Sequence, residues 1–339
     1  MVKVGINGFG RIGRAFYRLS KERDDVEVVA VNDLGSVENL AYLLQYDTAY
    51  GKAPYDVTVS NGNLLVDGRE IQVVSERDPA NLPWGKLDVD VVVEATGVFR
   101  KFEDAEVHVT KAGAKKVVIS APAKSEPQND THATILMGVN DEQLKTCVVT
   151  SNASCTTNAG SPLMTILDET IGVEKALLNT IHAYTATQSI VDSPSKGDFR
   201  KGRAAAMNII PSTTGAAIAT AKALPQLENK FDGIALRVPV IAGSIADITF
   251  ISKKNTTVEE VNAALKEAAQ QDRWKGIFAV NEDPIVSRDI LGNTHAAIAD
   301  LSFTKVVDGN LVKVLSWYDN EMGYTGSLVE HVVRTGSHL

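Results

Sequence analysis

The chain has 339 residues, 44% hydrophobic and 22% charged, ordinary proportions for a folded globular protein. That length predicts two domains and excludes a disordered or collagen-like chain. Lys and Arg number 34 against 42 Asp and Glu, a formal charge of −8, which argues against a dedicated nucleic-acid binder working through basic patches.

The first half alternates strand and helix patterns. Residues 2–7 are a short β-branched run. A helix is predicted over 11–21, with Ile12, Ala15, Phe16 and Leu19 at helical spacing. Further strands are predicted at 26–32, 89–94, 116–120 and 147–151. Such near-continuous apolar runs between helices indicate a parallel sheet covered on both faces. Residues 55–74 alternate instead and contain Asn61-Gly62, the signal of an antiparallel hairpin excursion.

The second half is dominated by strands, predicted at 176–183, 234–240, 245–252, 296–303 and 311–318. Asp308-Gly309 marks a hairpin turn between the last two. One helix stands out, 258–269, opened by Thr257 and Glu260 as a capping box. The fold class is therefore α/β: a first domain on a mostly parallel sheet, then an α+β domain with a large mixed, mostly antiparallel sheet. The boundary is expected near 154/155. The first domain, 1–154, is completed by a C-terminal helix at about 320–339, and the second spans 155–319.

The two cysteines, Cys147 and Cys155, exclude a disulfide scaffold and a CxxC zinc site. Reduced thiols fit a cytoplasmic location. His108 falls in a helical, solvated pattern, His132 and His295 among polar turns, and His331 and His338 near the end of the chain. None has metal-ligand spacing, so no metal is expected. Residues 111–116, a charge run, are expected to face solvent. The uncharged stretch 204–221 is too polar to cross a bilayer. The first residues lead straight into a strand, without a signal-peptide layout. Ser337-His338-Leu339 loosely resembles a peroxisomal address, a match short enough to arise by chance.

Gly8-Phe9-Gly10-Arg11-Ile12-Gly13 is a G-x-G-x-x-G between a predicted strand and a predicted helix. Its glycines permit a tight turn and close approach of backbone to a pyrophosphate, and the helix end offers free N–H groups, which makes the first domain a dinucleotide-binding Rossmann domain. Asp33 follows the second strand, 20 residues after Gly13. A carboxylate there accepts ribose hydroxyls and repels a 2′-phosphate, which points to NAD rather than NADP. Cys155 lies in Ser151-Asn152-Ala153-Ser154-Cys155-Thr156-Thr157-Asn158, just after a predicted strand and before a helical pattern. A helix N-terminus there favours the thiolate. Cys147 fronts a Val-Val strand and reads as core.

At this point the chain resembles the phosphorylating glyceraldehyde-3-phosphate dehydrogenases. The resemblance runs over essentially the whole length, through 6–14, Tyr46-Asp47-Thr48, 120–124, 151–158, 181–188, 211–217, Arg237-Val238-Pro239 and 316–321. It implies that Cys155 is the nucleophile and His182 its base. It implies cofactor binding by Gly8, Gly10, Arg11, Ile12, Gly13, Asp33 and Ser120, with Asn320 fixing the nicotinamide carboxamide. It implies a substrate-phosphate site at Thr185, Thr187 and Arg237, and a site for inorganic phosphate at Ser154, Thr156, Thr214 and Gly215. The implied partners are glyceraldehyde 3-phosphate, inorganic phosphate and copies of the chain in a homotetramer. No membrane partner is implied, and nucleic acid only as a side activity. Pro194, in the long polar segment 188–203, resembles the residue of NAD-using members.

The sequence departs from the family pattern at Ala159, where many members carry a second cysteine. It also departs at Ile218, often Lys, at Met322, usually Trp, and at 240–243. Two rivals remain at this stage. One is erythrose-4-phosphate dehydrogenase, against which Thr185 and Thr187 argue. The other is a nucleotide- or RNA-binding protein that has lost catalysis, against which the charge and the intact Cys155/His182/Arg237 set argue.

Overall fold

The run Val2–Asn7 forms β1, and its last four residues are buried, as a strand covered on both faces requires. A computed structural model describes residues 1–339. The chain divides into two compact units, Met1–Ala153 with Leu328–Leu339, and Ser154–Ser327.

In the first unit β1 is followed by α1 (Arg11–Ser20), β2 (Val26–Asn32) and α2 (Val37–Gln45). A small ribbon of β3 (Tyr46–Asp47) and β4 (Gly51–Lys52) precedes β5 (Val57–Ser60), β6 (Asn63–Val66) and β7 (Arg69–Val74). Then come β8 (Val91–Glu94), the short helices α3 (Phe102–Ala105) and α4 (Val107–Thr110), β9 (Lys116–Ile119), β10 (His132–Thr134) and β11 (Val149–Ser151). Nine strands make one sheet in the order β10-β11-β9-β8-β1-β2-β7-β6-β5. Pairing is parallel from β10 to β7 and antiparallel from β7 to β5. Asn61 and Gly62 turn the β5–β6 hairpin with φ of 51° and 79°, the left-handed values its two-residue loop needs. The hairpin is the antiparallel excursion within the first unit that the sequence predicts, and β7 pairs with β2, so it carries the sheet on.

Three expectations are corrected here. His108 is not solvated but fully buried, because Trp84 and Glu94, both distant in sequence, close over it. Lys116 opens β9 and is buried, its ammonium donating to the Leu144 carbonyl at 2.9 Å, so the 111–116 run does not wholly face solvent. His132 is the first residue of β10, not a turn residue; it is buried and stacked on Phe102 with ring centroids 5.3 Å apart.

The second unit contains α5 (Cys155–Thr170), β12 (Val173–Ala183), β13 (Ile210–Thr213), α6 (Ala216–Ala223) and β14 (Phe231–Val238). It continues with β15 (Ser244–Ser252), α7 (Val258–Ala268), β16 (Phe278–Asn281), β17 (Ala297–Val307) and β18 (Leu311–Tyr318). Its seven-stranded sheet runs β13-β14-β12-β15-β18-β17-β16. Only β12–β14 and β16–β17 are parallel; the other pairs are antiparallel. Helix α5 packs on β12, β15, β17 and β18. Thr257 and Glu260 close the capping box of α7 as read from sequence.

The last helix, α8 (Met322–Gly336), begins in the second unit and ends in the first. The chain therefore returns to the first unit at Leu328, later than the expected 320. The cause is close packing: a Cβ on Gly323 would sit 2.5 Å from the His295 carbonyl oxygen, and one on Gly326 2.2 Å from that of Thr294.

Candidate active site

β1 ends at Asn7, and Gly8–Gly10 turn the chain into α1. Gly8 has φ +98°, and a Cβ there would lie 2.6 Å from the Thr96 nitrogen. A Cβ on Gly13 would lie 2.2 Å from the Gly8 carbonyl oxygen, while one on Gly10 would meet nothing within 4 Å. The outer glycines thus permit the turn and the helix–strand contact, and the middle one leaves an open cradle. Gly10 caps α1 without a side chain, and the first turn holds no carboxylate, so the positive end of the helix dipole faces the turn uncompensated by an acidic side chain. The Asp33 carboxylate is fixed by the N–H groups of Phe9 (2.8 Å) and Gly35 (2.9 Å).

A cleft of about 330 Å³ opens beside this turn, lined by Gly8, Gly10, Asp33, Asn7, Asn32, Thr96 and others. Glycine cradle, helix end and carboxylate fit a dinucleotide. Arg11, Ile12, Gly13 and Ser120 lie outside that wall. The Arg11 guanidinium turns to Asp47, with contacts of 3.0 and 3.3 Å, and Ser120 ends β9 with its N–H on the Glu94 carbonyl. Asn7, Asn32 and Thr96 were not singled out from sequence, though Asn32 stands next to Asp33 in the same motif.

Cys155 is the first residue of α5, and Ser154 is its N-cap, accepting the Thr157 N–H at 3.0 Å. The Cys155 sulfur lies 3.3 Å from His182 Nε2. His182 is buried on β12, and the parallel register places Arg237 of β14 directly beside it. Arg237 Nη1 is 2.7 Å from His182 Nδ1, which is also 2.7 Å from the Ala183 carbonyl oxygen. Arg237 Nη1 also donates to that carbonyl, at 3.0 Å; in the tautomer that directs its proton from Nδ1 to the carbonyl, the ring presents a bare Nε2 to the thiol. Tyr318 packs edge-on against the imidazole, and its hydroxyl is held by Thr156 (2.9 Å) and Thr180 (2.7 Å).

Electrostatics modify the expectation for the thiol. Burial is the largest influence on Cys155 and pushes it up; the Arg237 charge, the Thr156 hydroxyl and the helix-end N–H groups oppose this. Burial, then Arg237, pulls His182 down to about 3. The resting pair is therefore biased toward neutral thiol and neutral imidazole, and the helix end alone does not secure a thiolate. A neutral base held next to a thiol can still draw off its proton when charge develops elsewhere.

The hydroxyls of Thr185, half-buried, and Thr187, exposed, lie 2.9 Å apart. Thr214 accepts the Ala216 N–H at 3.2 Å, and Gly215 is the N-cap of α6. The Ser154 and Thr156 hydroxyls are engaged, with Thr157 and with Tyr318. The Asn320 side-chain oxygen is fixed by Gly243 N–H and the Ser244 hydroxyl, both at 3.1 Å, which orients the amide nitrogen. Of the departures, Ala159 is buried in α5, Met322 is buried at the start of α8, and Ile218 stands exposed on α6. No group of three or more His, Cys, Asp or Glu is placed to hold a metal ion.

A glycine-cradled dinucleotide cleft on one unit and a thiol–imidazole pair on the other define the class: an NAD-dependent dehydrogenase. Residues 2–102 match the family model for the glyceraldehyde 3-phosphate dehydrogenase NAD binding domain, and 154–320 that for its C-terminal domain. The chain is 51% identical to a glyceraldehyde-3-phosphate dehydrogenase of Streptomyces coelicolor, over 100% of this chain and 99% of that one. It is 52% identical to one of Geobacillus stearothermophilus, over 97% of this chain and 96% of that one. It is 47% identical to glyceraldehyde-3-phosphate dehydrogenase 1 of Kluyveromyces lactis, over 98% of this chain and all of that one. The chain belongs to the glyceraldehyde 3-phosphate dehydrogenase family, and NAD is its cofactor.

Proposed function

We propose that the protein oxidises and phosphorylates glyceraldehyde 3-phosphate to 1,3-bisphosphoglycerate, the glycolytic reaction, through Cys155. The observation that carries this reading is the 3.3 Å approach of His182 Nε2 to the Cys155 sulfur in a chain of this family. The sulfur attacks the aldehyde carbon while its proton passes to Nε2, giving a thiohemiacetal. Its oxyanion lies toward the Cys155 N–H at the start of α5. His182 Nε2 then holds the hydroxyl proton of the thiohemiacetal as it collapses to a thioester. Bound NAD supplies the hydride acceptor. Inorganic phosphate cleaves the thioester, freeing the sulfur and forming the acyl phosphate.

Arg237, with the hydroxyls of Thr185 and Thr187, offers a guanidinium fork and two O–H donors to the substrate phosphate. Thr214 and the Gly215 region offer donors to the attacking phosphate, and the engaged Ser154 and Thr156 shape its surroundings. Asn320 would orient the cofactor's carboxamide. We also propose a homotetramer in the cytoplasm. Ile190, Val191, Phe199, Met207 and Ile209 are exposed in and after the long 188–203 segment, and Leu177 and Ile234 on the outer sheet face. Apolar surface of that extent marks an interface. The experiment is NAD reduction measured with glyceraldehyde 3-phosphate and with erythrose 4-phosphate, each with and without phosphate. Phosphate-dependent turnover that favours the triose supports the reading; preference for the tetrose overturns the substrate.

A further inference from the structure

Behind the dinucleotide cleft lies a buried carboxylate that the reaction does not use. Glu94, at the end of β8, is 1% exposed, and His108 on α4 is fully buried. The Trp84 indole N–H donates to His108 Nδ1 at 3.0 Å. An indole nitrogen only donates, so Nδ1 is bare and the ring proton sits on Nε2. That proton goes to Glu94 Oε2, 3.1 Å away. Asn7 donates its amide to the same oxygen at 2.6 Å. The other oxygen takes the Thr96 N–H at 2.9 Å and the Thr96 hydroxyl. Four donors converge on Glu94 and no acceptor does.

The bonds then run outward to the cleft. The Asn7 side-chain oxygen, turned away from Glu94 by this arrangement, accepts the Asn32 amide at 2.7 Å. Asn32 clasps the backbone of Glu76 on both sides, donating to its carbonyl and accepting its N–H, each at 2.8 Å. Asn7, Asn32, Glu76 and Thr96 all line the cleft; Glu94 and His108 do not. We propose that Glu94, oriented by His108, is a positioning residue for the cofactor, presetting the wall of the cleft beside Asp33. It decides which way the Asn7 amide faces, and Asn7 decides the rest. The proposal rests on the reading of this cleft as the cofactor site.

The test is Glu94→Gln, nearly isosteric, which places an NH2 where donors already converge. The dissociation constants for NAD and for ADP-ribose, together with the NAD KM, should rise by one common factor, roughly tenfold or more. The kcat at saturating NAD and the triose-phosphate KM should stay within about twofold. His108→Gln keeps one donor for Glu94 and should shift the same constants in the same direction by less. If Glu94→Gln does not fold, His108→Gln alone decides. Loss of kcat or of active protein with cofactor constants unchanged would mean that Glu94 is only structural, and would overturn the proposal. Asp33→Ala is the control arm. If it weakens NAD while both other variants bind normally, the positioning role is wrong and the cleft stands. If Asp33→Ala also binds normally, the cleft is not the cofactor site and the proposal falls with it.

Discussion

Acid should destabilise this protein through His331 by an amount set by its surroundings. The ring is fully buried on α8, with Nδ1 3.0 Å from the Asn152 side-chain oxygen and Nε2 2.9 Å from the Thr150 hydroxyl. Nδ1 donates to the one and Nε2 accepts from the other, so the neutral ring is satisfied, and neither partner carries a negative charge to offset a second proton. Burial, and secondarily the Arg334 charge, pulls its pKa from 6.5 to about 3. Between those two values the unfolded chain binds a proton that the folded chain excludes, so stability rises with pH across that window and is level above it. At pH 5 the imidazole is about 1.5 units below its unfolded pKa. At about 1.4 kcal/mol per unit, the loss relative to pH 7.5 is on the order of 2 kcal/mol. His331→Gln can keep a donor for Asn152 and an acceptor for Thr150 but cannot titrate. Urea unfolding of both proteins at pH 7.5 and pH 5 is the assay. The variant should lose about 2 kcal/mol less than the parent on acidification. Equal losses would show that His331 is not excluded from protonation in the folded state.

Three further outcomes are expected. His182→Asn should lower turnover by roughly 10²–10⁴-fold and slow alkylation of Cys155, with the circular dichroism spectrum unchanged; turnover near the parent's would remove His182 as the base. Asp33→Ala should reduce the preference for NAD over NADP in steady-state kinetics by at least about tenfold, because the charge facing a 2′-phosphate is gone; an unchanged ratio would place cofactor choice elsewhere. Arg237 pulls down both Cys155 and His182. Arg237→Gln should therefore move the pH midpoint of Cys155 alkylation upward and raise the KM for the phosphorylated triose more than for glyceraldehyde; a downward midpoint would contradict the assigned electrostatics.

The parts of this molecule that follow local rules were legible in its sequence. Gly8, Gly10 and Gly13 announce a turn between strand and helix because Gly8 and Gly13 each remove a clash with neighbouring backbone and Gly10 leaves the cradle open. Asn61-Gly62 and Asp308-Gly309 take the left-handed φ values their residue types predict. Ser154 and the Thr257–Glu260 box start helices where capping chemistry says they should. Cys155 could thus be placed at a helix start from its neighbours in the chain.

What escaped depends on partners far along the chain. His108 reads as solvated until Trp84 and Glu94 are brought to it, and Lys116 until Leu144 accepts its ammonium. The edge strands β13 and β16, four residues each, are too short to show a period, and α6 lies in an Ala-rich stretch with little amphipathic contrast. Arg237 stands beside His182 because β14 joins β12 in parallel register, 55 residues apart, which no motif states. The resting state of the thiol departs from the sequence expectation for the same reason. The helix end is local and visible, whereas the burial that opposes it is assembled from the whole fold.

The most direct test of the account is a single-turnover experiment with NAD and glyceraldehyde 3-phosphate in the absence of phosphate. One reduced nicotinamide should form per active subunit in a burst, and mass spectrometry of the quenched protein should find the acyl group on the peptide containing Cys155. Addition of phosphate should then release it, and Cys155→Ser should show neither burst nor adduct. A full burst in Cys155→Ser, or an adduct carried by any other residue, would contradict the assignment of this thiol as the nucleophile.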